Sequence, residues 1–165
     1  MIRLDEALKK WLEQYQISYI LHSHPAVFTV EEAQKHCGFI PGTHCKNLFV
    51  KDLKKRKYYL VTLESSKRLK FKELEKLTNW PKIIFADESE LQSYLGLSKG
   101  AVSPFGLVND KENQVEYLID KDVWNAEIVS FHPNINSETL ELKKDAYQQF
   151  VKATGNKFQI ISFPS

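Results

Sequence analysis

CKNLFVKDLKKRKYYLVTL, residues 45–63, is the stretch that decides the fold. Residues 45–51 and 57–63 are apolar runs rich in aromatic and β-branched side chains, and a charged stretch separates them. This pattern is typical of two antiparallel strands joined by a turn. It predicts a β-hairpin whose tip carries a cluster of lysines.

The charge of the chain is concentrated around this hairpin. Residues 43–72 contain ten Lys or Arg against two acidic residues, a net charge of +8, whereas the remainder carries −6 and the whole chain +2. A basic face of this kind attracts a nucleic-acid backbone, although a solvated hairpin tip would have the same composition. The candidate backbone-binding residues are Lys51, Lys54, Lys55, Arg56, Lys57, Lys67 and Arg68.

Outside the hairpin, short helices alternate with strands. Apolar spacing and helix-capping residues predict helices at 2–15, 30–37, 71–80, 88–95 (capped by Asp87 and Glu90 and ended by Gly96) and 146–154 (capped by Asp145 and closed by Gly155). Strands are predicted at 17–21, 82–86, 115–120, 128–131, 139–142 and 158–163. The order predicts an α+β fold, with a central mixed, mostly antiparallel sheet and surrounding helices.

Length and composition indicate one ordered domain spanning residues 1–165. The hydrophobic fraction is 42%, enough to build a core, and no linker or repeat interrupts the chain. No apolar run approaches the ~20 residues that a membrane span needs, and the start of the chain carries acidic residues where a signal peptide would be apolar. We therefore expect a cytoplasmic protein without a membrane association.

Several kinds of catalytic site have no sequence support. Cys37 and Cys45 lack metal-binding spacing, and His22, His24 and His44 lack a third ligand of suitable spacing, so we expect neither a metal nor another cofactor. No Ser or Cys sits in a nucleophile motif, and no glycine-rich phosphate loop occurs. Hydrolase triads, dinucleotide enzymes and P-loop enzymes are therefore disfavoured.

Three segments remain as candidates for a functional site. They are a lysine and an asparagine at the start of the first hairpin strand, a glycine-bounded loop at 100–106, and the segment FHPN at 131–134. The loop has turn-forming residues at both ends and small residues between them, so its backbone can approach a ligand closely. It is predicted to be a binding loop.

These segments resemble the YbaK/ProX family of aminoacyl-tRNA editing domains, relatives of the domain inserted in bacterial prolyl-tRNA synthetases. The resemblance is strongest to the ProX branch (PrdX, ProXp-ala) and is carried by HPAVFTVEEA at 24–33, KNLFVKD at 46–52, LGLSKGAVSPFGLVND at 95–110 and FHPNINSET at 131–139. The sequence departs from the family at Cys45, where threonine is usual, and at the acidic Glu138.

The resemblance implies roles for particular residues. The loop of Gly100, Ala101, Val102, Ser103 and Pro104 would surround the aminoacyl ester with backbone N–H donors, and Lys46 would hold the acceptor end. Asn47 and Ser103 would contact ribose or the α-amine, and His132 would orient the amine or a water, unless it is structural. The resemblance also implies contacts with substrate for Phe28, Val27, Phe105 and Gly106.

By the same resemblance, the protein would be a trans-editing deacylase that removes alanine from proline tRNA by water attack. It would act as a monomer or weak homodimer on the acceptor end of the tRNA, and it would associate with prolyl-tRNA synthetase. Three alternatives stay open: an enzyme of the same fold acting on cysteinyl- or seryl-tRNA, a non-catalytic tRNA- or synthetase-binding module, and a metal enzyme using His22, His24 and His44.

Overall fold

The computed structural model describes residues 6–25, 31, 42–54, 57–131 and 137–164. The helices are α1 (Glu6–Gln14), α2 (Phe71–Thr78), α3 (Glu88–Leu95), a 3-10 helix (Pro104–Asn109), α4 (Lys121–Trp124) and α5 (Lys144–Thr154). The strands are β1 (Ile20–Ser23), β2 (Thr43–Asp52), β3 (Lys57–Glu64), β4 (Ile83–Phe85), β5 (Val115–Asp120), β6 (Ile128–Phe131), β7 (Glu138–Lys143) and β8 (Phe158–Ile161).

The strands form one mixed sheet in the order β1-β7-β6-β2-β3-β5-β8, and β4 pairs with β2 off this path. Four pairs are antiparallel (β1–β7, β6–β7, β2–β3 and β2–β4), and three are parallel (β2–β6, β3–β5 and β5–β8). The predicted α+β class with a central mixed sheet is confirmed.

The predicted hairpin is the centre of this sheet. Strands β2 and β3 pair antiparallel from Cys45 opposite Glu64 to Asp52 opposite Lys57. On its other side, β2 pairs with β6 only at Thr43 and His44 and with β4 only at 50–52. Residues 45–48, which we call the uncovered edge, have no strand partner there within the described part of the chain.

Apolar side chains cover both faces of the hairpin because successive residues of a strand point to opposite sides. Phe49 and Leu60 face a large core formed with α1, α3, the 3-10 helix and α5. Val50 and Val61 face a smaller core closed by Leu74 of α2 and by Phe163 near the C-terminus. No helix in the described residues is long and apolar enough to cross a membrane.

Helix boundaries follow their capping residues closely. Asp87 and Glu90 form the predicted capping box of α3, which ends at Gly96 in the left-handed conformation with φ of 65°. Gly155 ends α5, but Asp145 lies inside that helix, whose N-cap residue makes no side-chain cap. The helix predicted at 30–37 lies outside the described residues except for Glu31. Helix α4 and the 3-10 helix were not predicted.

Glu90 fastens α3 to the hairpin. Its carboxylate accepts two hydrogen bonds from Lys51 Nζ, each of 2.9 Å, and a short one from the Tyr58 hydroxyl. Burial raises the pKa of Glu90, but the Asp87 backbone N–H, the Tyr58 hydroxyl and Lys51 outweigh it and hold this pKa at about 2. The contact fixes the N-terminal end of α3 against β2.

Lys67 is the one predicted nucleic-acid contact that is buried among the described residues. Only 5% of Lys67 is exposed, and its ammonium contacts Asp120 Oδ1 at 2.9 Å, Asp122 Oδ2 at 2.7 Å and the Phe163 carbonyl at 2.9 Å. Asp120 is fully buried and also accepts from the Glu64 backbone N–H. Lys67 therefore joins the end of β3 to β5 and the C-terminal segment, and we remove it from the basic surface.

Replacing Lys67 by methionine is expected to lower the free energy of unfolding by about 3–5 kcal/mol, because it leaves the buried Asp120 carboxylate without its cation. Lys70→Met is the control, since Lys70 is exposed and lies 3.8 Å from Glu73; it is expected to cost less than about 0.5 kcal/mol. Urea unfolding measures both variants, and equal stabilities would contradict the structural role of Lys67.

The lowered pKa of Glu90 predicts how the free energy of unfolding depends on pH. Because its pKa is lower in the folded chain than its ordinary value of 4.5, its carboxylate stabilises the fold above that value, and this stabilisation is lost as the pH falls through about 2. The stability difference between the wild type and Glu90→Gln should therefore shrink as the pH falls from about 6 towards about 2. Urea unfolding across this pH range measures the stability difference, and Glu112→Gln, at an exposed residue, is the control. A difference between the wild type and Glu90→Gln that does not change with pH would contradict the proposed contact of Glu90 with Lys51 and Tyr58.

Candidate functional site

A cavity of about 530 Å³ opens beside the uncovered edge of β2. Its walls come from β2, from β4 and the turn after it, from the start of α3, and from the glycine loop. They are formed by Asn47, Leu48, Phe49, Phe85, Ala86, Asp87, Glu88, Leu91, Lys99 and Val102. The cavity therefore brings together two of the three predicted segments, the start of β2 and the loop.

The wall formed by 85–91 and Lys99 was not predicted. The sequence contains its structural signal, the capping box at Asp87 and Glu90, which fixes where α3 begins. Local sequence does not reveal that β4 pairs with β2, or that the Ala86 N–H donates a hydrogen bond of 3.0 Å to the Phe49 carbonyl. These two contacts bring the wall to the cavity. These contacts connect residues more than thirty positions apart, which local patterns do not reveal.

Asn47 projects from β2 towards the large core and lines the cavity. Its Oδ1 accepts a hydrogen bond from the hydroxyl of Thr62, the residue directly opposite on β3. Thr62 is itself fully buried, so Asn47 is held from behind by the sheet. The amide of Asn47 is thus anchored at the junction of cavity and core.

Lys46 lies on the opposite face of β2 from Asn47, because neighbouring residues of a strand alternate in direction. Burial lowers the pKa of Lys46, the nearby Arg68 lowers it further, and Glu64 partly opposes them. Lys46 and Arg68 therefore lie within electrostatic reach of each other. Such a pair of cations is suited to an anionic group such as a phosphate.

The glycine loop turns at Gly100, whose φ of 88° lies in the left-handed region that favours glycine. The Ala101 N–H is occupied, since it donates to the Ser98 carbonyl at 3.1 Å. The N–H groups of Gly100 and Val102 donate to no residue that the structure describes. Of the loop's predicted backbone donors, these two are best placed to serve a ligand.

The second half of the predicted loop is part of the core. Pro104, Phe105 and Gly106 are buried in the 3-10 helix, and Phe105 packs edge-on against Phe131 and Phe150. Gly106 is required by close packing, because an added Cβ would lie 2.6 Å from Leu97 Cδ1. These residues do not line the cavity, so they support the loop from behind.

Ser103 also has a structural task. Its side chain is fully buried and accepts a hydrogen bond of 3.1 Å from the Phe105 N–H, which caps the 3-10 helix. This cap orients the loop, and the predicted contact of Ser103 with ribose or amine stays a prediction. Val102 is left as the loop side chain that lines the cavity.

The predicted basic surface is divided by the fold. Lys54, Lys57 and Arg68 are exposed, whereas Lys51 is engaged by Glu90 and Lys67 by Asp120 and Asp122. Lys55 and Arg56 lie outside the described residues. Lys57 lies at the start of β3 and Lys54 just before it, and Arg68 follows its end. The exposed cations therefore lie at the two ends of the paired hairpin.

His132, Val27 and Phe28 lie outside the described residues. Strand β6, which precedes His132, is parallel to β2 and pairs Ser130 with His44, so the chain leaves β6 at the level of the uncovered edge. No group of three or more His, Cys, Asp or Glu that could hold a metal occurs in the part of the chain that the structure describes. There, His22 bonds to Glu141 and His24 to Thr139.

Cys45 is the only cysteine in the described residues, and it is not suited to nucleophilic attack. Burial, followed by the nearby Glu64 and Asp120 carboxylates, raises its pKa well above the ordinary value. The thiol donates a weak hydrogen bond of 3.5 Å to the Thr43 carbonyl. Because the thiolate is the reactive form, a protonated thiol here is inert.

Comparison with known proteins identifies the family. Residues 24–150 match the model of the aminoacyl-tRNA editing domain. The chain is 40% identical over 150 residues to the prolyl-tRNA editing protein ProX of Acetoanaerobium sticklandii, a match that covers 91% of this chain and 92% of that protein. It is 34% identical to the prolyl-tRNA synthetase associated domain-containing protein 1 of Bos taurus, covering 97% and 95% of the two chains.

Solved structures share the fold at lower sequence identity. A structure described as a candidate trans-editing enzyme for prolyl tRNA synthetase superposes with a TM-score of 0.68 at 17% identity, covering 98% of this chain and 100% of that one. A hypothetical protein superposes with a TM-score of 0.72 at 22% identity, covering 93% and 97%. Because the family model matches residues 24–150, this chain belongs to the aminoacyl-tRNA editing domain family.

Proposed function

We propose that this chain hydrolyses the ester of alanyl-tRNA(Pro), and that the cavity beside the uncovered edge of β2 is its active site. As a member of the aminoacyl-tRNA editing family, it is an aminoacyl-tRNA deacylase. The observation that supports this location is the meeting of Asn47 and the Val102 loop around one cavity. The name of the ProX relative, a prolyl-tRNA editing protein, supports proline tRNA as the substrate class.

The uncovered edge would allow residues on opposite faces of β2 to act on one substrate. A group lying along the edge is reached by Asn47 from one face and by Lys46 from the other. The terminal phosphate or ribose would lie on the side of Lys46 and Arg68, and the ester on the side of Asn47 and the glycine loop. His132, the residue after β6 in the sequence, would orient the amine or a water.

The reaction proposed is direct attack of water on the ester carbonyl. Cys45 is protonated, so no thiolate nucleophile is available from it. The N–H groups of Gly100 and Val102 would stabilise the developing oxyanion, and each such donor contributes about 3 kcal/mol in comparable sites. The 2′-hydroxyl of the terminal adenosine would assist the water, and positioning of the ester supplies the remaining rate enhancement.

Selection by size is proposed to come from the apolar wall of the cavity. Phe49, Leu91 and Val102 are apolar side chains that line the cavity, and Val27 and Phe28 are proposed to extend this wall. A small rigid pocket excludes a larger side chain sterically, although it cannot favour it by attraction. Alanine would therefore enter, and proline would be excluded from the position that leads to hydrolysis.

The exposed cations around the hairpin would bind the tRNA acceptor stem. Lys54, Lys57 and Arg68 are exposed and belong to the segment with a net charge of +8. Lys55 and Arg56 at the hairpin tip are proposed to extend this surface. Contacts of this kind with phosphates supply affinity and weaken as salt is added. An association with prolyl-tRNA synthetase is proposed from the names of the relatives.

The proposed activity is tested by deacylation of alanyl-tRNA(Pro) and prolyl-tRNA(Pro) with the purified protein, with and without EDTA. The alanyl ester is expected to be hydrolysed and the prolyl ester spared, and Lys46→Ala should lower kcat/KM at least about a hundredfold, because it removes the group that places the ester. Lys70→Ala, at an exposed lysine, is the control.

Hydrolysis of cysteinyl- or seryl-tRNA instead would keep the site but change the substrate. Loss of activity with EDTA would favour a metal enzyme, and tRNA binding without hydrolysis of any of these esters would contradict the proposed reaction.

The electrostatic effect of Arg68 on Lys46 leads to a second, independent prediction about the pKa of Lys46. Arg68→Gln removes a neighbouring cation, so it is expected to raise the pKa of Lys46, whereas Glu64→Gln removes an anion and should lower this pKa further. An NMR titration of the Lys46 side chain measures both shifts. Shifts of the same sign in both variants would contradict a common electrostatic site.

A further inference from the structure

A chain of buried side-chain hydroxyls runs from the cavity into the large core. The Thr62 hydroxyl lies 2.5 Å from Asn47 Oδ1 and 2.7 Å from the Tyr117 hydroxyl. The Tyr117 hydroxyl lies 2.9 Å from that of Tyr147. Thr62 and Tyr117 are fully buried, and only 1% of Tyr147 is exposed.

The direction of this chain follows from proton counting. Asn47 Oδ1 has no proton, so Thr62 must donate its single hydroxyl proton to it. Thr62 can then only accept from Tyr117, and Tyr117, having used its proton, can only accept from Tyr147. Every donor therefore points from the core towards the cavity.

Burial favours the protonated form of both tyrosine hydroxyls. Burial raises the pKa of Tyr117, and burial followed by the neighbouring Tyr117 raises the pKa of Tyr147 well above its ordinary value. Neither tyrosine therefore loses the proton on which the direction of the chain depends.

We propose that Thr62, Tyr117 and Tyr147 are positioning residues that fix the Asn47 side chain with its Nδ2 amide facing the cavity. The Asn47 Nδ2 group donates to no described residue, and Asn47 itself lines the cavity. With Oδ1 held by Thr62, Asn47 offers the substrate a hydrogen-bond donor and not an acceptor.

This orientation selects the substrate atom that Asn47 contacts, an inference that rests on the proposed function. An α-ammonium group has only donors, so it cannot bind Asn47 Nδ2, whereas the ester carbonyl oxygen can. The ammonium group needs an acceptor, and the carboxylates of Asp87 and Glu88, residues that line the same cavity, would serve beside His132. Asn47 therefore binds the reacting end of the ester.

The placement of the chain supports a positioning role over simple filling of the core. Its members come from β3, β5 and α5 and converge on one cavity residue. Buried hydroxyls are costly unless each is satisfied, and an apolar core would avoid that cost. The series of hydrogen-bonded hydroxyls ends at the cavity, where a hydrogen-bond donor of fixed orientation can bind the substrate.

The test combines the Asn47 side-chain amide signals in 1H–15N NMR spectra with deacylation kinetics. Thr62→Val is close to isosteric and removes the hydroxyl, Thr62→Ser retains it, and Tyr59→Phe removes a hydroxyl from a buried tyrosine that faces the smaller core. Loss of signal in Asn47→Asp assigns the Asn47 amide. Alanyl-tRNA(Pro) is the substrate.

In the wild type, both Asn47 amide protons should exchange readily with water. Thr62→Val should shift the Asn47 signals and lower kcat/KM about tenfold, the effect of losing one orienting hydrogen bond. Thr62→Ser should restore both, and Tyr59→Phe should change neither. A core-filling role alone would lower the stability of Thr62→Val without moving the Asn47 signals.

Two results would overturn the inference. One is an Asn47 amide proton that is protected in the wild type and exposed in Thr62→Val, because the chain would then run in the opposite direction. The other is unchanged Asn47 signals in Thr62→Val. If the wild type hydrolyses no aminoacyl-tRNA, the NMR signals still decide the orientation of Asn47, so failure of the proposed function is distinguishable from failure of this inference.

Discussion

The incomplete pairing of β2 is the constraint on which the site depends. This strand pairs with β3 from Cys45 to Asp52, and its other side is covered by β6 at one end and by β4 at the other, so residues 45–48 have no strand partner on that side among the described residues. Side chains on both faces of a central strand can reach a ligand that lies along an unpaired stretch of its edge. The cavity, Asn47 and Lys46 all lie along this stretch.

Two polar contacts hold the structure around this edge. Glu90 fastens the start of α3, one wall of the cavity, to Lys51 and Tyr58 of the hairpin. Lys67 fastens the end of β3 to Asp120 and to the C-terminal segment beyond. Because each contact joins a hairpin strand to a separate element, the hairpin becomes the frame from which the site residues project.

Much of the fold could be predicted from local patterns, because the hairpin, the capping box of α3 and the glycine ends of α3 and α5 are encoded in neighbouring residues. The site could be predicted only in part. Lys67 resembles the exposed lysines around it, and only the fold places it beside Asp120. The chain from Thr62 to Tyr147 joins residues 55 and 30 positions apart, and Phe105 is apolar whether it lines a pocket or a core.

Binding of the aminoacyl ester at the uncovered edge of β2 is the proposal on which the assigned roles of Asn47, Lys46 and the glycine loop depend. A crystal structure with a non-hydrolysable analogue, adenosine carrying alanine through a 3′-amide, tests it most directly. The amide carbonyl is expected within about 3 Å of Asn47 Nδ2, and the alanine methyl group is expected to contact Val102. An analogue bound elsewhere, such as the cavity between Gln16 and Gln149, would contradict it.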